Sequence, residues 1–119
     1  MKKHRNSFEE GIGAVLEPSG FLYEPHKYKY MMESSYTPDW VMGDIVVEAK
    51  GYFRAGDTKK YKAISRAMRD RDLELVFIFQ SPTKKVRKGS KLTLAGWCNK
   101  EEIRWFLTPE DLVLYALGG

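Results

Sequence analysis

The amino-acid sequence predicts a single mixed α/β domain with a central β-sheet flanked by helices. Three observations carry this. The chain of 119 residues, 43% hydrophobic, is long enough for one real core and too short for two. Apolar residues recur at helical spacing in some stretches and as strand-type runs in others. Those stretches follow one another as helix, strands, helix, strand, helix, strand, helix, with no internal repeat and no linker.

Each element has its own signal. Ser7 followed by Glu10 reads as a capping box, and Phe8, Ile12, Val15 and Leu16 recur at helical spacing until Pro18 and Gly20, so a helix is expected over about 8–17. From Phe21 to Tyr36 the chain is aromatic-rich, with Tyr28 and Tyr30 alternating, interrupted by Pro25 and Glu33-Ser-Ser35; this suggests extended structure. Trp40-Val-Met42 and Ile45-Val-Val-Glu-Ala49 are separated by Gly43-Asp44, a two-residue loop with glycine first, as a tight hairpin prefers. Asp57 can cap a helix with Tyr61, Ile64, Ala67 and Met68 on one face and Lys60, Lys62, Arg66 and Arg69 on the other. Leu73 to Gln80 reads as a buried strand and 81–90 as a polar, basic loop. A short helix near 93–100 and a strand at Ile103 to Phe106 follow. Thr108-Pro-Glu-Asp111 then opens a last helix, with a cap, a proline in first position and acids in the first turn.

Composition narrows the function. A net charge of +4 and a pI near 9.1 suit a polyanionic partner, and the charge is concentrated in places that matter. The single cysteine, Cys98, has no internal disulfide partner, and the charged start MKKHRNSFEE is not a secretory signal, so a reducing cytoplasm is expected. No apolar run approaches the length of a bilayer span, and no membrane association or organic cofactor is expected.

The chemistry gathers around the hairpin. If Gly43-Asp44 is its loop, Met42 pairs with Ile45, Val41 with Val46, Trp40 with Val47, and Asp39 stands opposite Glu48. Residues so paired have Cβ atoms roughly 5 Å apart, and two carboxylates there destabilise a sheet unless a cation compensates. Mg²⁺ takes one or two carboxylates together with water and phosphate oxygens, which this arrangement accommodates. Lys50, two residues beyond Glu48, points to the same face, while Ile45, Val47 and Ala49 point to a core. Phosphodiester hydrolysis needs an activated water, a neutralised phosphate and a stabilised leaving oxygen, and bound metal can supply all three. Lys50 would position or deprotonate the water, or steady transition-state charge. Glu9 and Glu10, in the first helical turn, are candidates for a further ligand; about 100° apart around the helix, they cannot both aim at one point, and first-turn acids also arise from the helix dipole alone.

At these residues the sequence resembles the phage endonuclease I family of Holliday-junction resolvases. The resemblance spans most of the chain and rests on Ser7-Phe-Glu9, Tyr36-Thr-Pro-Asp39, Val47-Glu-Ala-Lys50-Gly51, and Thr83-Lys-Lys-Val-Arg-Lys-Gly-Ser90 leading to Gly96-Trp97-Cys98. It implies a restriction-endonuclease-like core and an intertwined, domain-swapped homodimer making paired cuts in branched DNA. It also implies two Mg²⁺ or Mn²⁺ ions per site. Glu9, rather than Glu10, matches the family's helix carboxylate; Asp39, Glu48 and the Ala49 carbonyl match its metal ligands, and Lys50 its catalytic lysine. The crossing segment corresponds to about Tyr28 to Tyr36 and is shorter here. The chain ends at Leu117-Gly-Gly119 without the basic tail the resemblance implies, so a lower junction affinity is expected.

Candidate phosphate contacts are Lys84, Lys85, Arg87, Lys88 and Lys91, with no acid between Ser81 and Thr93, and Lys2, Lys3 and Arg5 at the start. Such contacts position a backbone without reading sequence. His4 and His26 lack partners at metal spacing and read as surface residues, and Trp40, Trp97, Trp105 and Cys98 read as core. The expected function is a Mg²⁺-dependent endodeoxyribonuclease resolving four-way DNA junctions, in the host bacterial cytoplasm if phage-encoded. A related nuclease acting on flaps, nicks or plain duplex, or a non-catalytic DNA-binding module of the same fold, are the alternatives.

Overall fold

A computed structural model describes residues 4–24, 27–31 and 34–118. Lys2, Lys3, Pro25, His26 and Glu33 lie outside the described residues. The elements are α1 Ser7–Leu16, β1 Leu22–Tyr23, β2 Tyr28–Met31, β3 Ser34–Tyr36, β4 Trp40–Met42, β5 Ile45–Lys50, α2 Asp57–Arg69, β6 Glu74–Phe79, α3 Leu94–Lys100, β7 Arg104–Phe106 and α4 Pro109–Ala116. A short 3₁₀ turn, Glu17–Ser19, follows α1. Among the described residues no helix is long and apolar enough to cross a membrane.

Five strands form one mixed sheet in the order β1-β4-β5-β6-β7. β1, β4 and β5 pair antiparallel, while β5, β6 and β7 run parallel. The parallel half needs crossovers, which α2 and α3 supply from one face of the sheet; α1 and α4 cover the other. Because both faces are covered, β5 and β6 are apolar without alternation, and Val46, Val47, Val76, Phe77, Ile78 and Phe79 are all fully buried. On the α2 and α3 side, Phe53 stacks on Tyr61 and meets Trp97, Phe77 and Phe79 edge-on or tilted. On the other side Ile12 and Leu16 of α1 and Leu112 of α4 close over Ile45, Val47, Val76 and Ile78.

The hairpin register is the expected one, with Met42 opposite Ile45, Val41 opposite Val46 and Trp40 opposite Val47. Gly43 takes φ 58°, a left-handed angle that glycine adopts without strain. The pairing stops at Trp40, however, so Asp39 is not a ladder partner of Glu48. The Asp39 N–H bonds to the Val47 carbonyl at 3.0 Å and the chain leaves the sheet there, preceded by Pro38, which has no N–H to continue the ladder.

Three local expectations are corrected. Ser7 is the first residue of α1 rather than its cap: the Asn6 side chain accepts the Glu9 N–H at 2.9 Å. Asp57 is likewise inside its helix. Gly56, at φ 86°, holds the cap position, and the Asp57 carboxylate accepts the Arg54 N–H at 2.8 Å while its own N–H returns to the Arg54 carbonyl. His4 is not a free surface residue, since it bonds to Glu17 at 2.6 Å and packs against the rings of Tyr23 and Trp40. The last helix begins as expected, with Thr108 accepting from the Asp111 N–H.

The segment expected to be extended folds back on itself, β2 pairing antiparallel with β3 from Tyr28 opposite Tyr36 to Met31 opposite Ser34, apart from the main sheet.

Asn6→Ala should lower the unfolding free energy by about 1 kcal/mol, and Ser7→Ala should change it by less than about half that. Urea titration of both variants checks the assignment; equal losses would return the cap to Ser7.

Candidate active site

The C-terminal half of β5 ends at the mouth of a cavity of about 460 Å³, where α1, β3, β4 and α2 converge. Ligand sites of sheets with parallel strands favour the carboxyl ends of those strands. The side chains there include three carboxylates taken almost wholly out of water: Asp39 is 1% exposed, Glu9 4% and Glu48 6%. Glu10, the neighbour of Glu9, is exposed. The face carrying Glu48 is not a solvent face, since Val46 on the same side lies in the core beneath α2.

Burying a carboxylate is unfavourable by several kcal/mol, on the order of what two or three charge-assisted hydrogen bonds return. Each of the three has that many. Glu48 Oε1 accepts from the Tyr36 hydroxyl at 2.6 Å and Oε2 from the Tyr61 hydroxyl at 3.1 Å, with Lys50 Nζ 3.9 Å from Oε2. Asp39 Oδ2 accepts the Ala49 N–H at 2.9 Å, and its Oδ1 accepts from Arg5 Nη1 at 2.8 Å. The same Arg5 nitrogen donates to Glu9 Oε2 at 2.8 Å, and Glu9 Oε1 accepts from the Tyr23 hydroxyl at 2.8 Å. Arg5 also pairs with Glu24. A single guanidinium therefore ties the N-terminal segment, α1, the end of β1 and the approach to β4.

The Ala49 backbone completes the arrangement. Asp44 and Lys50 give their carbonyls to Glu74 and Gln80 across the β5–β6 pairing, so by strand alternation the peptide groups of residues 45, 47 and 49 face β4. The Ala49 carbonyl thus leaves the strand on the Asp39 side.

Electrostatics follow from the crowding. Burial, together with the Asp39 charge, pushes Glu48 up to about 8, although the two tyrosine hydroxyls and Lys50 pull the other way. Burial also raises Asp39, against the Ala49 N–H and Arg5. Tyr36 and Tyr61 are pushed far above the ordinary phenol by burial and Glu48, so both act as donors. Among the described residues no three His, Cys, Asp or Glu side chains stand together as a ready ligand set. Arg5 lies between Glu9 and Asp39, and the tyrosines hold Glu48.

Asp39, Glu48, Lys50, Ala49 and Glu9 are thus brought to one cavity. Arg5, expected to contact phosphate, instead points at carboxylates. Lys84, Lys85, Arg87, Lys88 and Lys91 are exposed in the 81–92 loop, whose ends are tied by Val86 N–H to Leu92 O and Leu94 N–H to Lys84 O. Lys2 and Lys3 lie outside the described residues. Periodicity missed Tyr36 and Tyr61, which look like strand and helix core, and Lys60, whose ammonium lies 5.2 Å from the Tyr61 ring centroid at the cavity wall.

The geometry defines a buried acidic centre with an adjacent lysine, and the comparisons with known proteins give the kinship of the chain. The phage endonuclease I family matches residues 1–113. "Endonuclease I" of Escherichia phage T7 is 33% identical over 107 residues, covering 85% of this chain and 70% of that protein. "Endodeoxyribonuclease 1" of Enterobacteria phage T3 is 33% identical over 105 residues, covering 83% and 68%. The chain belongs to the phage endonuclease I family. It is a nuclease by that membership.

The raised carboxyl group sets the pH behaviour of the protein in EDTA. Folded, Glu48 keeps its proton up to about pH 8, whereas unfolded it loses it near the ordinary 4.5. Between those values unfolding releases a proton, so the stability that Glu48 contributes is fully present below about 4.5 and is lost as pH rises toward 8. Glu48→Gln should flatten that decline, which on the linkage relation is on the order of a few kcal/mol. Thermal unfolding from pH 4 to 9 is the check; a wild-type decline unchanged in the variant would remove Glu48 as its source.

Proposed function

We propose that the protein is a Mg²⁺-dependent endodeoxyribonuclease that cuts four-way DNA junctions, acting as a homodimer with a restriction-endonuclease-like core. The observation that carries this reading is the convergence of three buried carboxylates and Lys50 at a cavity mouth beside a basic loop. The name of the phage T3 relative supports DNA as substrate. Selectivity for branched DNA rests on the family resemblance.

The residues present fit a hard divalent cation. Their donors are all oxygen, two of the carboxyl groups are raised by burial, and Mg²⁺ needs only one or two carboxylates when water and phosphate complete its shell. Asp39, Glu48 and the Ala49 carbonyl would hold it, with Glu9 available to a second ion once Arg5 releases it. Bound there, such ions neutralise the phosphate and lower the pKa of coordinated water. Tyr36 and Tyr61 orient the Glu48 carboxyl. Lys50 supplies fixed positive charge at the reacting phosphate, and Lys60 extends that charge along the cavity wall.

The dimer exchanges its α1–β1 unit by opening the β2–β3 pairing, so that the chain between Tyr28 and Tyr36 crosses to the partner. The pairing of β1 with β4 and the packing of α1 against α4, seen within one chain, are contacts that an exchanged copy makes equally well.

Labelled junction and matched linear duplex, incubated with Mg²⁺ or Ca²⁺, should show paired junction cleavage in Mg²⁺ only. Equal cutting of both substrates would assign a less selective nuclease, and binding without cutting a non-catalytic module. Glu48→Gln and Lys50→Ala should each slow cleavage by about 10²-fold or more while sparing junction binding. Co-refolded Glu9→Gln and Glu48→Gln chains should regain activity, because an exchanged heterodimer contains one site with both residues intact; an inactive mixture would place Glu9 and Glu48 of each site on one chain.

A further inference from the structure

Tyr52 is left unexplained by the acidic centre. It follows Lys50-Gly51 at the end of β5 and is 52% exposed, whereas its neighbour Phe53 is 7% exposed and wedged among Tyr61, Trp97, Phe77 and Phe79. Phe53 therefore fixes the backbone, and the Tyr52 ring is held out into solvent at a set place. That place is a divide. Tyr52 lines the catalytic cavity and also a second cavity of about 590 Å³, whose other walls are Phe53, Val86, Lys84, Lys85 and Arg87.

The second cavity is preformed. Val86 is buried, its N–H bonded to Leu92, and Lys85 bridges to Thr93, so the loop that forms the outer wall is tied down at both ends. Its floor is aromatic and aliphatic, and its rim is cationic. Lys84 Nζ lies 5.9 Å from the Tyr52 ring centroid, and Lys85, Arg87 and Lys88 are exposed beside it. An exposed ring next to ammonium groups meets two parts of a nucleotide at once, the ring taking the base face and the cations its phosphate.

We propose that Tyr52 and the cavity behind it form a nucleobase subsite, which takes one unstacked base of the DNA strand whose phosphodiester lies at Glu48 and Lys50. Bases inside a duplex are stacked on both faces and offer nothing to such a ring. An unpaired or loosened base at a branch point does, so the subsite selects branched over continuous DNA without reading sequence. This inference rests on the nuclease reading above and adds a selectivity element to it.

The test uses the full-length protein in Ca²⁺ with a four-way junction carrying 2-aminopurine at the branch, and a linear duplex carrying it mid-helix. Wild type and Tyr52→Phe should lower the branch 2-aminopurine fluorescence on binding and leave the mid-helix probe unchanged. Tyr52→Ala, with its unfolding midpoint confirmed equal to wild type, should abolish that change and weaken junction binding about tenfold, the scale of one base–aromatic stack. Equal junction affinity and equal fluorescence response in wild type and Tyr52→Ala would overturn the subsite while leaving the nuclease reading intact. Loss in Tyr52→Phe as large as in Tyr52→Ala would also overturn it, because the ring would not be the binding element. A wild-type protein that binds neither DNA would sink both readings together.

Discussion

Three carboxylates are buried within reach of one cavity, and the surrounding structure is organised around holding them. No packed interior tolerates such a concentration of like charge unless protons, hydrogen bonds or cations relieve it. The protein uses all three kinds of relief. Glu48 keeps a proton to an unusually high pH and receives two tyrosine hydroxyls, Asp39 takes a backbone N–H, and Arg5 is shared between Asp39 and Glu9. Arg5 thereby acts as an internal counterion, tying the N-terminal segment and α1 to the paired ends of β1 and β4.

The sheet explains why such a site can be rigid. β5 is covered on both faces, paired with β6 along its whole length and with β4 over Ile45 to Val47, so the backbone carrying Glu48, Ala49 and Lys50 is held by the core. Termination of β4 at Trp40 then matters as much as its pairing. With Pro38 unable to donate and Asp39 turned out of the ladder, the Asp39 carboxylate takes the Ala49 N–H that a longer strand would have bonded through its backbone. An acidic side chain is locked against the strand it serves, and the free Ala49 carbonyl faces the same space.

The aromatic residues divide labour by depth. Tyr36 and Tyr61 are buried and donate to Glu48, half-buried Tyr23 donates to Glu9, and Tyr52 stands exposed at the cavity rim. Phe53 links these layers, since it stacks on Tyr61 within the core and anchors the turn that presents Tyr52.

The sequence by itself determined the element order, the Gly43-Asp44 hairpin with its register from Trp40 to Val47, and the cap of the last helix, and it singled out Asp39, Glu48 and Lys50, which the fold brings to one cavity. These are local matters, decided by period, turn chemistry and spacing within a dozen residues. Resemblance selected Glu9 over Glu10; in the fold Glu9 is buried and Glu10 exposed. What only the tertiary structure decided was who partners whom. Asn6 displaces Ser7 as a cap, Arg5 turns toward acids rather than solvent, and two tyrosines that look like core become donors to Glu48. The physical reason is that the stability of a buried charge depends on groups brought together from distant parts of the chain, here from residue 5 to residue 61. No local pattern encodes those contacts before the sheet has closed.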